Sequence, residues 1–320
     1  MNENIAVSII CNAYNHENYI RDAIESFLMQ KTDFAFEILI HDDASTDRTP
    51  EIVKEYEKKY PEIIKAIYQK ENKYSKGVDI DITFQYPRVQ GKYIAVCEGD
   101  DYWTDAYKLQ KQYDALEKNP HIDMCAHAAD VVNAETKKKM DAMQPSNADR
   151  VFSVEEVILG GGGFVTTNSL MYRSELSTLE LPPFRQFLSL DYTLQIHGSL
   201  RGGMLYLKDN MSAYRKCAKG SWTSRMGKQP EKYKAHCEKV EKMMTILDEF
   251  TNGSYHETIE KRIRLSNFEL FDYFDENKKM LAKEYRDIFN SLSFKERLKI
   301  RIKACFPFLI KLKRKIVRNK

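Results

Sequence analysis

The feature that most constrains the fold is an alternation of strand-like and helical patterns near the start of the chain. Short apolar runs at residues 6–11, 36–41 and 63–68 are typical of buried strands. Between them, apolar side chains at helical spacing predict a helix beginning at Ile20, and Thr49 and Pro50 begin a second one. This order is typical of a parallel α/β sheet with helices on its faces.

The pattern continues less regularly toward residue 222. We predict a fourth strand at residues 92–97, a helix through Leu109 and Leu116, and a strand at 122–128. Residues 69–91 read as a loop with a short helix, and 133–150 as a polar excursion or hairpin. Further elements are expected at 153–159 (helix), 164–172 (strand), 191–200 (helix), 203–207 and 211–214 (paired strands). The predicted organisation is an α/β domain at 1–225, a helical extension at 226–293 and a basic amphipathic tail at 294–320.

Cysteine usage and hydropathy indicate the cellular compartment of the protein. The six cysteines are scattered without a C-x-x-C pair, so we expect free thiols in a reducing compartment. We find no signal segment and no uncharged run near the roughly 20 residues needed to span a bilayer. We therefore expect a cytoplasmic protein, or one peripheral to the inner face of the cell membrane.

Acidic residues follow the predicted strands. Asp42 and Asp43 end the second strand, Asp100 and Asp101 end the fourth, and Asp191 begins a later helix. Alone, the Asp100–Asp101 pair fits either a turn with a helix cap or a divalent-metal site. Because the carboxyl ends of parallel strands share one edge of a sheet, several such clusters favour a shared active site.

Other nucleotide-binding classes lack their motifs here. The first strand leads into Asn12 with no G-x-G-x-x-G, and no P-loop occurs, which argues against a dinucleotide oxidoreductase and a P-loop enzyme. A nucleotidyltransferase should also carry a Gly-rich phosphate loop near its N-terminus. The run from Gly160 to Gly163 precedes a predicted strand, so it reads as a flexible turn or as a loop shaping an acceptor pocket.

Three motifs together resemble a known family. Residues 7–15 (VSIICNAYN), 42–49 (DDASTDRT) and 98–103 (EGDDYW) match, in order and spacing, the inverting family 2 glycosyltransferases with the GT-A fold. The resemblance covers about residues 5–222 and is strongest to bacterial transferases of capsule, lipopolysaccharide or other cell-surface polysaccharide synthesis. It implies a nucleotide-diphospho-sugar transferase domain, and it leaves the C-terminal hundred residues unaccounted for.

The resemblance also implies where a nucleotide-sugar donor binds. The loop after the first strand, with Ala13, Tyr14 and Asn15, is expected to lie against the nucleotide, and Asp43 to contact its base. A UDP-sugar is the leading candidate donor. The acceptor is expected to be a glycan or a lipid-linked saccharide.

The same resemblance assigns chemical roles to the acids. Asp101 would coordinate Mg²⁺ or Mn²⁺ on the diphosphate, and Asp100 would contact the donor ribose or sugar, with Glu98 supporting the metal site. Asp191 would be the catalytic base that accepts the proton of the acceptor hydroxyl. The rival hypothesis is a catalytically inactive sugar-nucleotide-binding protein of a glycan-assembly complex.

One motif departs from the family pattern. Members often carry Y-R-x-H near the end of the domain, whereas this chain has Cys217 in the place of the His. Arg215 and Lys219 are then candidate cations for the donor diphosphate. An alternative is that Trp222 and the segment before it close the site.

The C-terminal residues suggest other contacts. Helices of the extension are expected to pack against the first domain or to form a homodimer, with acceptor binding as the alternative. The tail carries eleven Lys and Arg residues from Lys295 to Lys320 against the single acid Glu296, interleaved with bulky apolar residues. This composition predicts peripheral contact with an anionic membrane rather than with nucleic acid; a solvated charged helix is the remaining reading.

Overall fold

A computed structural model describes residues 5–177, 180–188, 190–216 and 229–306. The chain forms two compact units, residues 1–229 and residues 230–320. The first unit has a mixed sheet, with parallel and antiparallel strand pairs, flanked by helices, as the resemblance to the GT-A fold implied. The domain borders placed at residues 225 and 293 remain predictions.

The first unit is built on one sheet with strand order β3-β2-β1-β4-β9-β6-β10-β5, in which β7 also pairs with β6 and β8 with β10. Its strands are β1 (Ile5–Ala13), β2 (Ala35–Asp42), β3 (Ile64–Tyr68), β4 (Tyr93–Val96), β5 (Tyr102–Trp103), β6 (Met124–Asn133), β7 (Lys139–Met143), β8 (Arg150–Phe152), β9 (Met171–Arg173) and β10 (Met204–Lys216). Its α-helices are α1 (Ile20–Leu28), α2 (Thr49–Lys59), α3 (Lys108–Lys118), α4 (Val154–Gly160), α5 (Pro183–Phe187) and α6 (Asp191–Ser199).

The central strand β1 decides where the acidic loops lie. It runs parallel to both β2 and β4, with Ala13 opposite Asp42 and Ile10 opposite Val96. The loops after β2 and β4 therefore leave the same edge of the sheet, on either side of β1. Apolar side chains of these strands and of α1 to α3 enclose the core; Ile9, Ile24 and Ile38 are fully buried there.

Two predicted strand regions differ in the structure. At residues 164–172 only β9 is a strand, and a 3₁₀ turn at Thr167–Ser169 precedes it, because four consecutive polar residues turn toward the acidic edge instead of pairing. The two strands predicted at 203–214 are one strand, β10, with register shifts between Leu207, Asn210 and Ser212. These shifts let a polar segment bulge without ending the pairing with β6.

Residues 69–91 hold more structure than predicted. A 3₁₀ turn at Tyr74–Lys76 is followed by a π-helical turn at Asp81–Gln85 and a 3₁₀ turn at Tyr86–Arg88. Such π-helical turns occur frequently at functional sites. This one is tied to the end of β1, since the Asn12 side-chain amide donates to Asp81 at 2.8 Å.

The second unit is helical, as expected. Phe268, Met280, Tyr285, Ile288 and Phe289 form its core with Ile300. Its helices are α7 (Pro230–Phe250), α8 (His256–Tyr273), α9 (Arg286–Ser291) and α10 (Phe294–Cys305). Among the described residues, no helix is long and apolar enough to cross a membrane.

Candidate active site

Asp101 is buried at the end of β4 and bonded on both carboxylate oxygens. It is 2% exposed. Its Oδ1 accepts from the backbone N–H of Arg215 at 2.7 Å, and its Oδ2 from the side-chain amide of Asn168 at 3.1 Å. Burial, and then the charge of Asp100, raise the pKa of this carboxyl, while Arg215 and Asn168 oppose that rise. Asp101 thus ties the β4 loop to β10 and to the turn before β9.

Arg215 lies beneath this loop rather than in an open cleft. Its side chain is fully buried, pairs with Asp22 on α1 and donates to the backbone carbonyl of Asp100 at 2.8 Å. The guanidinium carbon lies 4.5 Å from the ring centre of Tyr102 and 5.2 Å from that of Tyr19. The predicted role as a cation for the diphosphate does not fit this position, because the guanidinium is enclosed and already paired with a carboxylate.

The half-buried acids of this edge form a cluster around Glu98. Glu98 and Asp100 are half-buried, and the carboxylate of Asp100 accepts no hydrogen bond from the described residues. Burial raises the pKa of Glu98 well above its usual range, and the charges of Asp81, Asp100, Asp101 and Asp191 raise it further. Burial likewise raises the pKa of Asp81 to about 6. The site concentrates negative charge where a cation or a proton would relieve the repulsion.

Asp191 begins α6 beside the same cluster. The hydroxyl of Thr167 donates to its Oδ2 at 2.8 Å, and the backbone N–H of Tyr192 to its Oδ1 at 2.7 Å. The carboxylate is half-buried. The Tyr192 hydroxyl in turn bonds the carbonyl of Ile158 on α4, so the start of α6 is fixed from both sides. The structure therefore brings Asp191 and the β4 loop to one cluster, as their charge on Glu98 shows.

Asp43 follows β2 and binds the backbone of a neighbouring loop. It is 5% exposed, and its two oxygens accept the backbone N–H groups of Lys73 at 2.7 Å and Tyr74 at 3.0 Å. Its own N–H donates to the carbonyl of the buried Ala13 at 2.9 Å. In this structure both carboxylate oxygens of Asp43 hold the turn at Tyr74–Lys76, and the direct base contact that the sequence suggested stays a prediction.

The loop after β1 lies next to this turn. Tyr14 is 42% exposed. Asn15 has a left-handed backbone (φ 58°), and its side-chain oxygen accepts from the N–H of Thr46 at 2.8 Å. Asn15 also donates its own N–H to the Ser45 hydroxyl at 2.9 Å. The loops after β1 and β2 are thereby joined, and Tyr74, whose N–H bonds Asp43, is also exposed, at 56%.

Three predicted elements lie outside the described residues: Cys217, Lys219 and Trp222. Among the residues that are described, no three His, Cys, Asp or Glu side chains are grouped to hold a metal ion unaided. The half-buried acids Glu98 and Asp100 nonetheless fit a hard divalent cation of the Mg²⁺ type, which binds few protein carboxylates and completes its shell with phosphate and water. On this geometry Asp100, rather than the enclosed Asp101, is the open oxygen donor.

Sequence reasoning missed three residues of the site: Asp81, Thr167 and Asn168. Asn168 is fully buried and, besides Asp101, bonds to β10 and β5: its side-chain amide also donates to the carbonyl of Ala213, and its backbone carbonyl accepts from the indole N–H of Trp103. The available signal was the polar run at residues 166–169 inside an otherwise apolar segment. For Asp81 the signal was weaker, since residues 69–91 are polar throughout.

Fold and site define a class. The acidic loops follow the parallel strands of the sheet, and Asp191 on α6 joins their cluster. Open α/β sheets bind their ligands at this edge, beyond the carboxyl ends of the strands. The sequence model "Glycosyl transferase family 2" matches residues 8–177. The chain belongs to the family 2 glycosyltransferases.

Individual relatives agree with this assignment. The chain is 35% identical over 218 residues to Rv1520 of Mycobacterium tuberculosis, covering 68% of this chain and 61% of that protein. The match thus spans less than two thirds of this relative's length. The putative teichuronic acid biosynthesis glycosyltransferase TuaG of Bacillus subtilis is 38% identical over 110 residues, which is 34% of this chain and 41% of TuaG.

Solved structures share the fold. TarS of S. aureus, residues 1–349 in complex with UDP-GlcNAc, superposes with a TM-score of 0.57 at 16% identity, covering 94% of this chain and 88% of that chain. The same segment of TarS in complex with UDP gives a TM-score of 0.57, covering 92% and 77%. At this identity the likeness shows the GT-A fold alone, which confirms the predicted fold class.

Proposed function

We propose that the protein transfers a sugar, with inversion, from a nucleoside diphosphate donor to a hydroxyl of a cell-surface glycan or lipid-linked acceptor. The observation that carries the proposal is the acidic cluster around Glu98, to which Asp100 and Asp191 contribute their charges from two different elements. One of these acids is held on a helix, and the other on a strand-end loop. This arrangement supplies a base and a leaving-group site from separate elements.

The descriptions of similar proteins support a particular class of donor and a particular class of acceptor. TarS is solved with UDP-GlcNAc, and TuaG is described as a teichuronic acid biosynthesis enzyme. The minor teichoic acid biosynthesis protein GgaA of Bacillus subtilis is a further relative, 31% identical over 119 residues. A UDP-sugar donor and an anionic cell-surface polymer as acceptor are therefore our proposed substrate classes.

The proposed reaction is a single displacement. Asp191 accepts the proton of the acceptor hydroxyl as its oxygen attacks the anomeric carbon, and the bond to the nucleoside diphosphate breaks. The Thr167 hydroxyl and the Tyr192 N–H orient the two oxygens of Asp191. Because the acceptor oxygen enters opposite the leaving group in this single displacement, the configuration of the anomeric carbon inverts. No enzyme nucleophile is needed.

The site residues divide into those that touch substrate and those that position them. We assign Asp100, with Glu98 beside it, to holding a divalent cation at the donor diphosphate. Mg²⁺ or Mn²⁺ bound there would supply positive charge to the leaving diphosphate. Asp101 and Arg215 position the β4 loop through buried hydrogen bonds. This proposal replaces the roles of metal ligand and diphosphate cation that motif position alone suggested for them. Asp43 positions the turn that carries Tyr74.

A donor screen tests the proposal. Purified protein is offered UDP-, GDP- and dTDP-sugars with and without Mg²⁺ or Mn²⁺, and both thermal shift and donor hydrolysis are followed. We expect one UDP-sugar to raise the melting temperature and to be hydrolysed. Asp191→Asn should keep the shift and lose hydrolysis at least about a hundredfold, whereas the exposed control Asp141→Asn should match the wild type.

The outcomes separate the two functional hypotheses. Binding without hydrolysis by the wild-type protein, in the presence of metal and acceptor extracts, would favour the inactive sugar-nucleotide-binding protein. No response to any nucleotide sugar would refute both.

A further inference from the structure

Helix α10 has a buried face and an exposed apolar face. Ile300 and Ala304 are 6% and 4% exposed and contribute to the second unit, where Ile300 joins the core. Phe294, Leu298 and Ile302 are 75%, 46% and 45% exposed. These three lie at i, i+4 and i+8, so they form one line along the helix.

The line lies opposite the buried face. At about 100° per residue, Leu298 and Ile302 are each rotated by roughly 160° from Ile300, in opposite senses, so they lie about 40° apart on the side opposite Ile300. A single exposed apolar side chain is ordinary on a protein surface, but an aligned row on a helix marks an interaction surface. We call the row Phe294, Leu298 and Ile302 the apolar stripe.

Basic side chains border the apolar stripe on both sides. By helical position, Arg297 and Arg301 lie along one border, and Lys299 along the other. Arg301 and Lys299 are exposed, and Arg297 is half-buried. The helix carries one acid, Glu296, which is used in the capping box with Ser293. The surface therefore combines apolar contact with positive charge.

We infer that the apolar stripe docks on an anionic phospholipid bilayer, with α10 lying parallel to the membrane plane. The 12 residues of α10 span only about 18 Å, short of the roughly 30 Å hydrocarbon core, so the helix lies on the membrane and does not cross it. Apolar side chains enter the headgroup boundary, and the bordering cations meet lipid phosphates. This surface goes beyond the proposed function, which concerns the first unit alone.

Charge favours a membrane over a second copy of the chain. In a two-fold dimer the stripe would face itself, and each basic border would lie against a basic border of the other copy. No acid beyond Glu296 is present on α10 to offset that repulsion. An anionic bilayer offers the opposite charge along both borders.

The test compares two double variants of the full chain. Leu298→Glu/Ile302→Glu breaks the stripe, and Leu281→Glu/Ala282→Glu adds the same charge at exposed positions of the same unit, where Leu281 is 42% exposed. Each protein is sedimented with vesicles of phosphatidylcholine alone or with about one third phosphatidylglycerol. We expect the wild type and the control to bind the anionic vesicles, and the stripe variant to bind at least about tenfold more weakly.

A second variant and a second measurement test the inference even if the Glu variant does not fold. Arg297→Gln/Arg301→Gln keeps the stripe and should weaken binding to anionic vesicles severalfold, even if the Glu variant unfolds. Equal binding of the stripe variant and the control, or equal binding of wild type to neutral and anionic vesicles, would refute the inference. So would a stripe variant that changes the oligomeric state in light scattering. Donor hydrolysis by the wild type is measured in parallel, and its absence would count against the proposed function instead.

Discussion

Two adjacent aspartates have different surroundings, and their replacements should fail in different ways. Asp101 accepts two internal hydrogen bonds, whereas Asp100 is half-buried and accepts none among the described residues. In Asp101→Asn a new N–H₂ group meets a donor, so we expect unfolding free energy to fall by about 1–3 kcal/mol. Asp100→Asn should retain stability and lose donor hydrolysis.

Urea unfolding and hydrolysis of both variants check this prediction. If Asp101→Asn kept wild-type stability but lost metal-dependent donor binding, Asp101 would be the metal ligand after all. Equal losses of stability in both variants would show that the difference in burial has no energetic meaning.

Lys108 is a buried cation, and its titration should be visible in stability. Its ammonium lies 3.8 Å from the ring centre of Trp103 and has no hydrogen-bond partner among the described residues. Burial lowers the pKa of Lys108 to about 7. Between about pH 7 and its ordinary value near 10.5, the unfolded chain holds a proton that the folded chain has lost, so stability rises with pH.

The variant Lys108→Met should remove this rise. One proton corresponds to a slope of about 1.4 kcal/mol per pH unit in the free energy of unfolding. Lys118→Met, at an exposed position of the same helix, is the control and should keep the wild-type slope. Identical pH dependence of Lys108→Met and wild type from pH 7 to 10 would contradict the prediction.

The local sequence pattern predicted where the acidic site residues lie better than it predicted their roles. Asp100, Asp101 and Asp191 follow from where strands end and helices begin. The roles of Asp101 and Arg215 do not, because they depend on a bond between residues 114 positions apart. No local pattern shows which of two neighbouring carboxylates turns inward.

At the scale of elements, α6 is held against the sheet by a glycine. A Cβ on Gly198 would lie 2.9 Å from the Cβ of Met124 on β6, and 2.5 Å from its terminal methyl. Gly198→Ala should therefore push α6 away, at a cost of about 1–3 kcal/mol that exceeds the gain in helix propensity of about 1 kcal/mol. Because α6 begins with Asp191, kcat should fall more than KM rises.

The matched control is Gly163→Ala, since a Cβ there meets nothing within 4 Å. It should leave the melting temperature and kcat near wild type. A Gly198→Ala variant as stable and as active as this control would show that α6 and β6 tolerate a wider separation.

The pattern of apolar residues predicted the elements wherever a segment forms its own core contacts. β1, β2, α1 and α6 lie within a few residues of their predicted ends. The errors fall at Thr167–Ser169 and in the middle of β10, where polar residues serve the site or a bulge. There, long-range hydrogen bonds outweigh the local strand propensity.

At the scale of the whole molecule, two separate cores predict two unfolding transitions. The first unit encloses the core that contains Ile9, and the second encloses the core that contains Phe268. Calorimetry of the full chain should show a transition for each. A bound UDP-sugar should raise only the first unit's transition, because it binds that unit's folded state.

Phe268→Ala provides the complementary change. Loss of a buried phenylalanine should cost about 3–5 kcal/mol and lower only the second unit's transition. A single transition that shifts with both the ligand and the variant would show that the units unfold together.

The hydrogen bond from Arg215 to Asp101 also has a consequence for protein synthesis. A chain still on the ribosome has made the whole β4 loop more than a hundred residues before it completes β10, so Asp101 lacks its partner until 114 further residues have been added. The guanidinium that supports the carbonyl of Asp100 arrives at the same late moment. A nascent chain that ends before residue 215 therefore cannot complete this loop. Competence to bind the donor should appear abruptly near the end of the first unit, rather than growing with chain length.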